Sequence, residues 1–245
     1  MKLTVLGSGT AVPRLNRNMS GYLVETGNKK ILFDSGPGII RQILKTKSKI
    51  MDINHIFYTH LHPDHINDLL GILIIDHCNK YKGPLNIYGP KGIKKYFNFI
   101  RKATIGKLNY DVNVGEMNDN SISKIDKILI KTKKVKHSII GVSYRIEYDG
   151  KSIVYSGDTD YSNDIIQLSK NADLLVLECS YPDNKKVKGH LIPSLCGKIA
   201  TKANVKKLVL THFYPECDKV DIKKQCSKEF DGKIVLAKDC MRVKV

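Results

Sequence analysis

The sequence predicts an α/β fold in which two β-sheets pack face to face and helices cover their outer faces. Two observations support this prediction. Apolar segments of strand length recur along all 245 residues, and helical segments lie between many of them. No linker or low-complexity tract interrupts the chain, and 42% of its residues are hydrophobic, which is enough for a real core. We therefore expect a single domain over residues 1–245.

The first half of the chain is predicted to contain five strands and three helices. The predicted strands are Lys2–Leu6, Gly21–Glu25, Lys30–Phe33, His55–Tyr58 and Leu85–Tyr88. The first helix follows Gly38 to about Lys47, and the third runs from Gly89-Pro90 to about Lys102. The second helix spans Ile66–Ile75, and its predicted apolar face comprises Leu69, Leu70, Leu73 and Ile74.

The second half begins with strands and then alternates strands with helices. The predicted strands are Ile128–Val135, Val142–Tyr148, Ser152–Tyr155, Leu174–Leu177, Lys207–Leu210, Lys233–Leu236 and Met241–Val245. The predicted helices are Asn163–Lys170 and Ser194–Ala203. Asp149-Gly150 is a sequence typical of a tight hairpin turn, so we expect the second and third of these strands to pair.

Two bulk features bear on where the protein works. No apolar run approaches the roughly 20 residues needed to span a bilayer, and Met1–Gly7 is too short for a signal peptide. The six cysteines are scattered and form no CxxC pair, which is not the pattern of a disulfide framework. We therefore expect a cytoplasmic protein that does not interact with membranes.

The net charge is strongly positive. The chain has 41 Lys and Arg residues against 24 Asp and Glu residues, a net charge of +17, and such a field attracts polyanions. The basic residues form three clusters: Lys91, Lys94, Lys95, Arg101 and Lys102; Lys131, Lys133, Lys134 and Lys136; and Lys185, Lys186 and Lys188. No aromatic residue lies within the second or the third cluster, which weighs against a single-strand-binding module. A general compositional preference for lysine is the alternative explanation.

The segment Thr59–His65 carries the clearest chemical signal. Three histidines and one aspartate, His60, His62, Asp64 and His65, fall within six residues directly after a predicted strand. Imidazole nitrogen and carboxylate oxygen are ligands suited to Zn²⁺, Mn²⁺ or Fe²⁺. A strand that ends in such a loop can hold a metal at the edge of a sheet.

Further ligand-type residues follow predicted strands in the second half, namely His137, Asp158, His190 and His212. Seven ligands suit two ions that share one carboxylate. We expect His60, His62 and His137 to hold one ion, Asp64, His65 and His212 to hold the other, and Asp158 to bridge them. Water activated between the ions would act as the nucleophile, which explains why no Ser or Cys nucleophile motif is present.

Two residues beyond this ligand set are predicted to take part in catalysis. An additional ligand role is open to His190, but the ligand count is already full, and we favour a general acid that protonates the leaving oxygen, with Glu178 as its orienting partner. Asp64 is counted as both a metal ligand and a catalytic residue. His55 and His77 have no comparable context, so we expect them to be structural or surface residues.

At these residues the chain resembles the metallo-β-lactamase superfamily, whose signature is His-x-His-x-Asp-His. It is most similar to the ribonuclease Z branch. The resemblance covers essentially the whole chain and rests on Gly7–Thr10 with Arg17-Asn18, Thr59–His65, Leu85–Gly92, Ser156–Thr159, Thr211–Phe213 and Ala237–Met241.

The resemblance implies a four-layer αβ/βα sandwich, two metal ions (Zn²⁺, or Mn²⁺ in some members) and often a homodimer. By position, the residues that match the superfamily's metal ligands are His60, His62, Asp64, His65, His137, Asp158 and His212. His190 resembles the additional catalytic histidine of the branch, and Glu178 resembles the carboxylate that supports that histidine.

The chain departs from ribonuclease Z at two places. Ribonuclease Z carries a long arm between the third histidine and the bridging aspartate, and this arm holds tRNA. Here only 20 residues separate His137 from Asp158, a spacing similar to that of small cyclic-phosphate phosphodiesterases in the superfamily. In addition, Pro63 stands where ribonuclease Z usually has glycine.

Three functions are compatible with the sequence. The favoured one is a phosphodiesterase that acts on a small nucleotide-like substrate or on RNA. The second is an acyl hydrolase, a lactonase or thioesterase, that uses the same two ions. The third is a non-catalytic protein that retains the fold, and the complete ligand set argues against it.

Overall fold

The computed structural model describes residues 1–245 and contains two seven-stranded sheets packed face to face, with helices on their outer faces. In order of adjacency, the strands of the first sheet are β14 (Arg242–Lys244), β1 (Lys2–Gly7), β2 (Gly21–Thr26), β3 (Lys29–Ser35), β4 (Ile53–Phe57), β5 (Leu85–Gly89) and β6 (Val112–Glu116). Pairing is antiparallel from β14 to β3 and parallel from β3 to β6.

The second sheet has the same mixture of pairings. Its strands, in order of adjacency, are β13 (Lys233–Leu236), β12 (Lys207–Thr211), β11 (Leu174–Glu178), β10 (Lys151–Tyr155), β9 (Val142–Tyr148), β8 (Ile128–Lys134) and β7 (Ile122–Ile125). Pairing is parallel from β13 to β10 and antiparallel from β10 to β7.

Helices cover the outer face of each sheet. The helices that pack on the first sheet are α1 (Ile39–Leu44), α2 (Pro63–Ile66), α3 (Leu69–Cys78) and α4 (Ile93–Thr104). The helices that pack on the second are α5 (Asn163–Leu168), α6 (Pro193–Lys202) and α7 (Ile222–Cys226). Three short 3₁₀ segments complete the list, at Ile50–Asp52, Asp183–Lys185 and Pro215–Lys219.

The strands of the first sheet are apolar on both faces, which accounts for their continuous hydrophobic runs. In β3, Ile31 and Phe33 join the core between the sheets, whereas Leu32 joins the separate core beneath α1–α4. A strand that is buried on both faces shows no polar alternation. This arrangement confirms the four-layer αβ/βα sandwich.

The hairpin between His137 and Asp158 also matches its prediction. Strands β9 and β10 pair antiparallel around Asp149 and Gly150. Both turn residues have positive φ, 50° and 69°, which is the backbone of the two-residue turn that Asp-Gly favours. The hairpin occupies most of this interval, so the chain has no arm there.

The structure corrects the sequence prediction in several elements. The edge strands β6 and β7 and the short helix α7 were not predicted, because their sequences are short and polar. The helix predicted over Ile66–Ile75 is instead two helices, α2 and α3, which are joined at residues 67–68. The core-facing residues of α3 are Leu69, Ile72, Leu73 and Asp76, whereas Leu70 is only partly buried and Ile74 is exposed.

No helix of this chain is both long enough and apolar enough to cross a membrane. All six cysteines are free, as the lack of a disulfide pattern in the sequence predicts.

Asp76 is an unusual member of the core-facing stripe of α3. Its side chain is fully buried, and neither carboxylate oxygen has a hydrogen-bond partner. Burial raises the pKa of Asp76 to about 6. In an unfolded chain the pKa of aspartate is about 3.9. The folded state therefore binds the proton more tightly, so stability falls as the pH rises through this window and stays reduced above it.

We expect Asp76→Asn to raise the free energy of unfolding at about pH 7.5 by about 1–3 kcal/mol, because the substitution removes a buried charge without partners. Near pH 4 the variant and the parent chain should differ little. Urea unfolding across this pH range measures the effect, with the exposed Asp231→Asn as the control. Equal stabilities at pH 7.5 would contradict the interpretation.

Candidate dinuclear metal centre

The histidine-rich loop lies where β4 leads into α2. His60 and His62 precede the helix, and Asp64 and His65 lie within it. Pro63 occupies the first helical position, where a missing N–H group costs nothing and the fixed φ angle suits the helix. The departure from the usual glycine is therefore compatible with the local backbone.

The other candidate ligands come from the second sheet, at the ends of β8, β10 and β12. They are His137, Asp158 and His212 respectively. Asp158 lies beneath the histidine loop because Gly157, with φ +58°, lets its backbone approach Thr59 closely. A Cβ at Gly157 would lie 2.6 Å from the Cβ of Thr59. Both sheets thus contribute ligands to one site.

The seven predicted ligands come together as two adjacent groups. Within each group the donor atoms all lie within 4.8 Å of one another. The first group is His60, His62, His137 and Asp158, and the second is Asp64, His65 and His212. This is the division that the sequence predicts. A third set, which overlaps both, contains Asp158, His190 and His212.

Asp158 lies between the two groups and directs one oxygen to each. Its Oδ2 is 3.8 Å from His60 Nε2 and 3.9 Å from His137 Nε2. Its Oδ1 is 3.3 Å from His65 Nε2 and 3.4 Å from His212 Nε2. The geometry suits a carboxylate shared between two cations.

The chemistry of the donors fits divalent metal ions. His62 Nδ1 lies 3.1 Å from His60 Nε2 and 3.2 Å from His137 Nε2. Nitrogen ligands around a tetrahedral ion at about 2.0–2.1 Å lie roughly 3.3 Å apart. Burial lowers the pKa of His60 well below its usual value, which favours the neutral, metal-binding form. Moreover, Asp158 Oδ1 is buried without a hydrogen-bond partner.

A buried carboxylate, Asp34, orients the histidines of the first sheet. Asp34 lies near the end of β3, and its Oδ2 accepts bonds from His65 Nδ1 (2.8 Å), Thr59 Oγ1 (2.8 Å) and Tyr155 OH (2.7 Å). The Thr59 hydroxyl in turn lies 3.0 Å from His60 Nδ1 and accepts from it. Both histidines therefore present Nε2 to the centre, an outer-shell arrangement typical of metal sites.

A second buried carboxylate, Glu178, orients the histidines that follow strands of the other sheet. Its Oε2 accepts from the Ser180 hydroxyl at 2.6 Å, and that hydroxyl lies 3.0 Å from His212 Nδ1. Its Oε1 accepts from His190 Nδ1 at 3.0 Å and from the Thr159 N–H at 2.9 Å. Glu178 thus contacts histidines and backbone, which makes it a positioning residue.

His190 lies beside the metal groups, as the sequence predicts. Its Nδ1 is 4.0 Å from Asp158 Oδ2, and the ring is partly exposed. Burial alone would lower the pKa of His190, but the hydrogen bond and charge of Glu178 outweigh it and raise that pKa to about 9. Because Nδ1 is bonded to Glu178, Nε2 is left for a substrate.

His137 is oriented by backbone and not by a carboxylate. Its Nδ1 donates to the Gly189 carbonyl at 2.9 Å. The Gly189 N–H donates to Asp160 Oδ2 at 3.0 Å, and Lys186 pairs with the same oxygen at 2.9 Å. These contacts hold the loop before His190 against His137, a member of the first ligand group.

The remaining two histidines lie outside the centre. His55 Nδ1 contacts Asn54 Oδ1, and His77 Nδ1 accepts from the backbone of Asn109. Sequence reasoning missed the roles of Asp34 and Ser180. Asp34 follows the same pattern of an apolar strand ending in a ligand-type residue, so its position was a usable signal.

Comparison with known proteins is consistent with this geometry. The family model described as the beta-lactamase superfamily domain matches residues 29–213. The chain therefore belongs to the beta-lactamase superfamily domain family.

Among curated proteins, the chain is 29% identical over 279 residues to a protein named ribonuclease Z from Brevibacillus brevis, covering 90% of this chain and 87% of that protein. Among solved structures it resembles the metallo-beta-lactamase fold protein YhfI from Bacillus subtilis, with TM-score 0.87, 25% identity, and coverage of 99% and 98%. It also resembles human tRNase Z, short form, with TM-score 0.84, 25% identity, and coverage of 100% and 99%.

We expect Asp34→Asn to weaken Zn²⁺ binding by about 10–100-fold, because the amide no longer accepts the proton of His65 Nδ1 as a carboxylate does. Competition with a chromophoric chelator measures this affinity. Asp76→Asn is the matched control, since it makes the same change at another buried aspartate outside the centre. Unchanged affinity in Asp34→Asn would show that Asp34 serves folding alone.

Proposed function

We propose that this protein is a metal-dependent phosphodiesterase that hydrolyses a nucleotide-like or RNA substrate at the two metal groups. The observation that carries the proposal is His190, held by Glu178 through Nδ1 and positioned beside Asp158. Relatives that bear the name ribonuclease Z support the same reaction class.

The seven ligands would hold two divalent ions, Zn²⁺ or alternatively Mn²⁺. Bound there, such ions neutralise phosphate oxygens and lower the pKa of water toward about 7. His190 Nε2 is left free by the Nδ1–Glu178 hydrogen bond and would donate a proton to the leaving oxygen. Glu178 stabilises the protonated imidazole and fixes its orientation, and Asp64 is proposed as both a metal ligand and a catalytic residue.

Two features bear on the size of the substrate. The β9–β10 hairpin leaves no arm between His137 and Asp158. The alignment to the Brevibacillus protein has 279 positions but covers only 90% of this 245-residue chain, so that relative has residues that this chain lacks. Both observations support a small phosphodiester, or an RNA bound without a long arm.

Basic residues around the centre support an anionic substrate. Lys136 directly precedes His137, and Lys185, Lys186 and Lys188 lie in the loop before His190. Lys91 is also near, because the adjoining Gly92 at the start of α4 approaches the side chain of Leu61 in the histidine loop. Such a field raises the local concentration of a polyanion.

We also propose a single cytoplasmic domain that forms a homodimer. One core cluster extends across both sheets, which supports a single domain. Free cysteines are typical of a reducing compartment. The homodimer rests on the resemblance to the ribonuclease Z branch.

The proposal is tested by assaying the metal-loaded protein on bis-p-nitrophenyl phosphate, a 2′,3′-cyclic nucleotide and a precursor tRNA. We expect cleavage of at least the first two. Metal content is measured on the same sample by elemental analysis. If two ions are bound per chain and no substrate is cleaved, the proposal is wrong.

His190→Ala separates the phosphodiesterase from an acyl hydrolase. We expect kcat/KM on a phosphodiester to fall by about 10²–10⁴-fold, because the leaving oxygen loses its proton donor. Hydrolysis of a lactone or thioester should change little. His77→Ala serves as the control because His77 lies away from the centre. A His190→Ala variant with full phosphodiesterase activity and full metal content would exclude this role.

A further inference from the structure

Two tyrosine rings form a stacked pair next to the candidate centre. The centroids of Tyr181 and Tyr214 lie 4.5 Å apart, and the ring planes are inclined by 15°. Tyr181 directly follows Ser180, and Tyr214 comes two residues after His212. The backbone N–H of Tyr214 donates to the Ser180 carbonyl at 3.1 Å. The tyrosine pair is therefore held in place by the two segments that position His212 and His190.

The tyrosine pair stands edge-on to His190. The His190 centroid lies 6.1 Å from that of Tyr181 and 6.3 Å from that of Tyr214, with interplanar angles of 72° and 73°. Both tyrosines are partly exposed. The imidazole thus lies nearly perpendicular to the tyrosine pair, and all three rings are partly exposed.

A cation lies over the Tyr181 ring. Lys185 Nζ is 5.6 Å from the centroid of the Tyr181 ring, and the same ammonium pairs with Glu216. The Lys185 side chain is about half exposed. Partly exposed aromatic rings next to a basic side chain are the combination that binds bases of single-stranded nucleic acids, because every base has a π-face that can stack.

We infer that the Tyr181–Tyr214 pair receives the base of the nucleoside that leaves the phosphorus, an inference that rests on the proposed function. In that reaction a water oxygen bonds to phosphorus and the bond from phosphorus to the ribose oxygen breaks. The ribose oxygen takes its proton from His190 Nε2, and the water gives up one proton to solvent. The leaving nucleoside must therefore lie against His190, where the tyrosine pair forms the adjoining surface.

The inference predicts a preference for a base at this position with little discrimination among the four bases, since stacking is tolerant of sequence. The test compares the dinucleotide ApA with an analogue whose 5′ base is replaced by hydrogen. The two substrates share the same leaving ribose oxygen. Their ratio of kcat/KM is independent of the fraction of folded enzyme, because both are measured on one preparation.

For the parent chain we expect ApA to be favoured by about 5–100-fold. Tyr214→Leu should reduce this ratio at least about fivefold, and Tyr181→Leu should act in the same direction. Tyr214→Phe retains the ring and should retain the ratio. Tyr81→Leu is the matched control, because Tyr81 belongs to a different tyrosine pair, with Tyr110, away from the centre. A ratio that is unchanged in both leucine variants overturns the inference.

A binding measurement separates this inference from the proposed function. Saturation-transfer NMR with adenosine reports contact between the base and the protein whether or not cleavage occurs. We expect a signal in the parent chain and in Tyr214→Phe that is lost in Tyr214→Leu. If metal-loaded protein cleaves neither the dinucleotides nor bis-p-nitrophenyl phosphate, the cyclic nucleotide and the precursor tRNA but this pattern holds, the phosphodiesterase proposal fails and the base site stands. If adenosine gives no Tyr214-dependent signal, the base site is wrong.

Discussion

Two buried carboxylates, Asp34 and Glu178, hold the catalytic centre together. A buried charge is costly unless hydrogen bonds compensate it, and each of these carboxylates accepts several. Asp34 bonds His65 directly and reaches His60 through the Thr59 hydroxyl. Glu178 bonds His190 directly and reaches His212 through the Ser180 hydroxyl. Four imidazoles are thus oriented by two acids, one from each sheet.

The topology explains why this symmetry arises. Each sheet has a parallel half, and neighbouring parallel strands end at the same edge. Asp34 lies at the end of β3 beside the His60 loop of β4, and Glu178 lies at the end of β11 beside His212 of β12. Both Asp34 and His212 have left-handed backbones, with φ of 56° and 60°. Such conformations are costly for residues with a Cβ, and they occur here where side chains must turn into a shared site.

The ligand set was predictable from sequence because its chemistry is local: each ligand follows an apolar strand, and histidine is rare elsewhere in the chain. The outer-shell residues were harder to predict. Asp34 and Ser180 gain their roles only when distant segments meet, and only Asp34, at the end of an apolar strand, had a position that could have signalled its role. The strands β6 and β7 were missed because they are short edge strands. The buried face of α3 was mispredicted because residues 69–75 are apolar throughout and do not mark one face. Similarly, the cluster of Lys185, Lys186 and Lys188 contains no aromatic residue, yet Lys185 lies over the ring of Tyr181 in three dimensions.

Because both sheets contribute ligands, metal binding at the centre is coupled to the stability of the whole fold. The first group joins His60 and His62 of one sheet to His137 of the other, and the second joins His65 to His212. A ligand that binds only the folded state stabilises it in proportion to the logarithm of its concentration over its dissociation constant. An ion bound by either group would therefore link the two sheets and stabilise the folded chain. A melting temperature of this protein has meaning only together with the metal content of the sample.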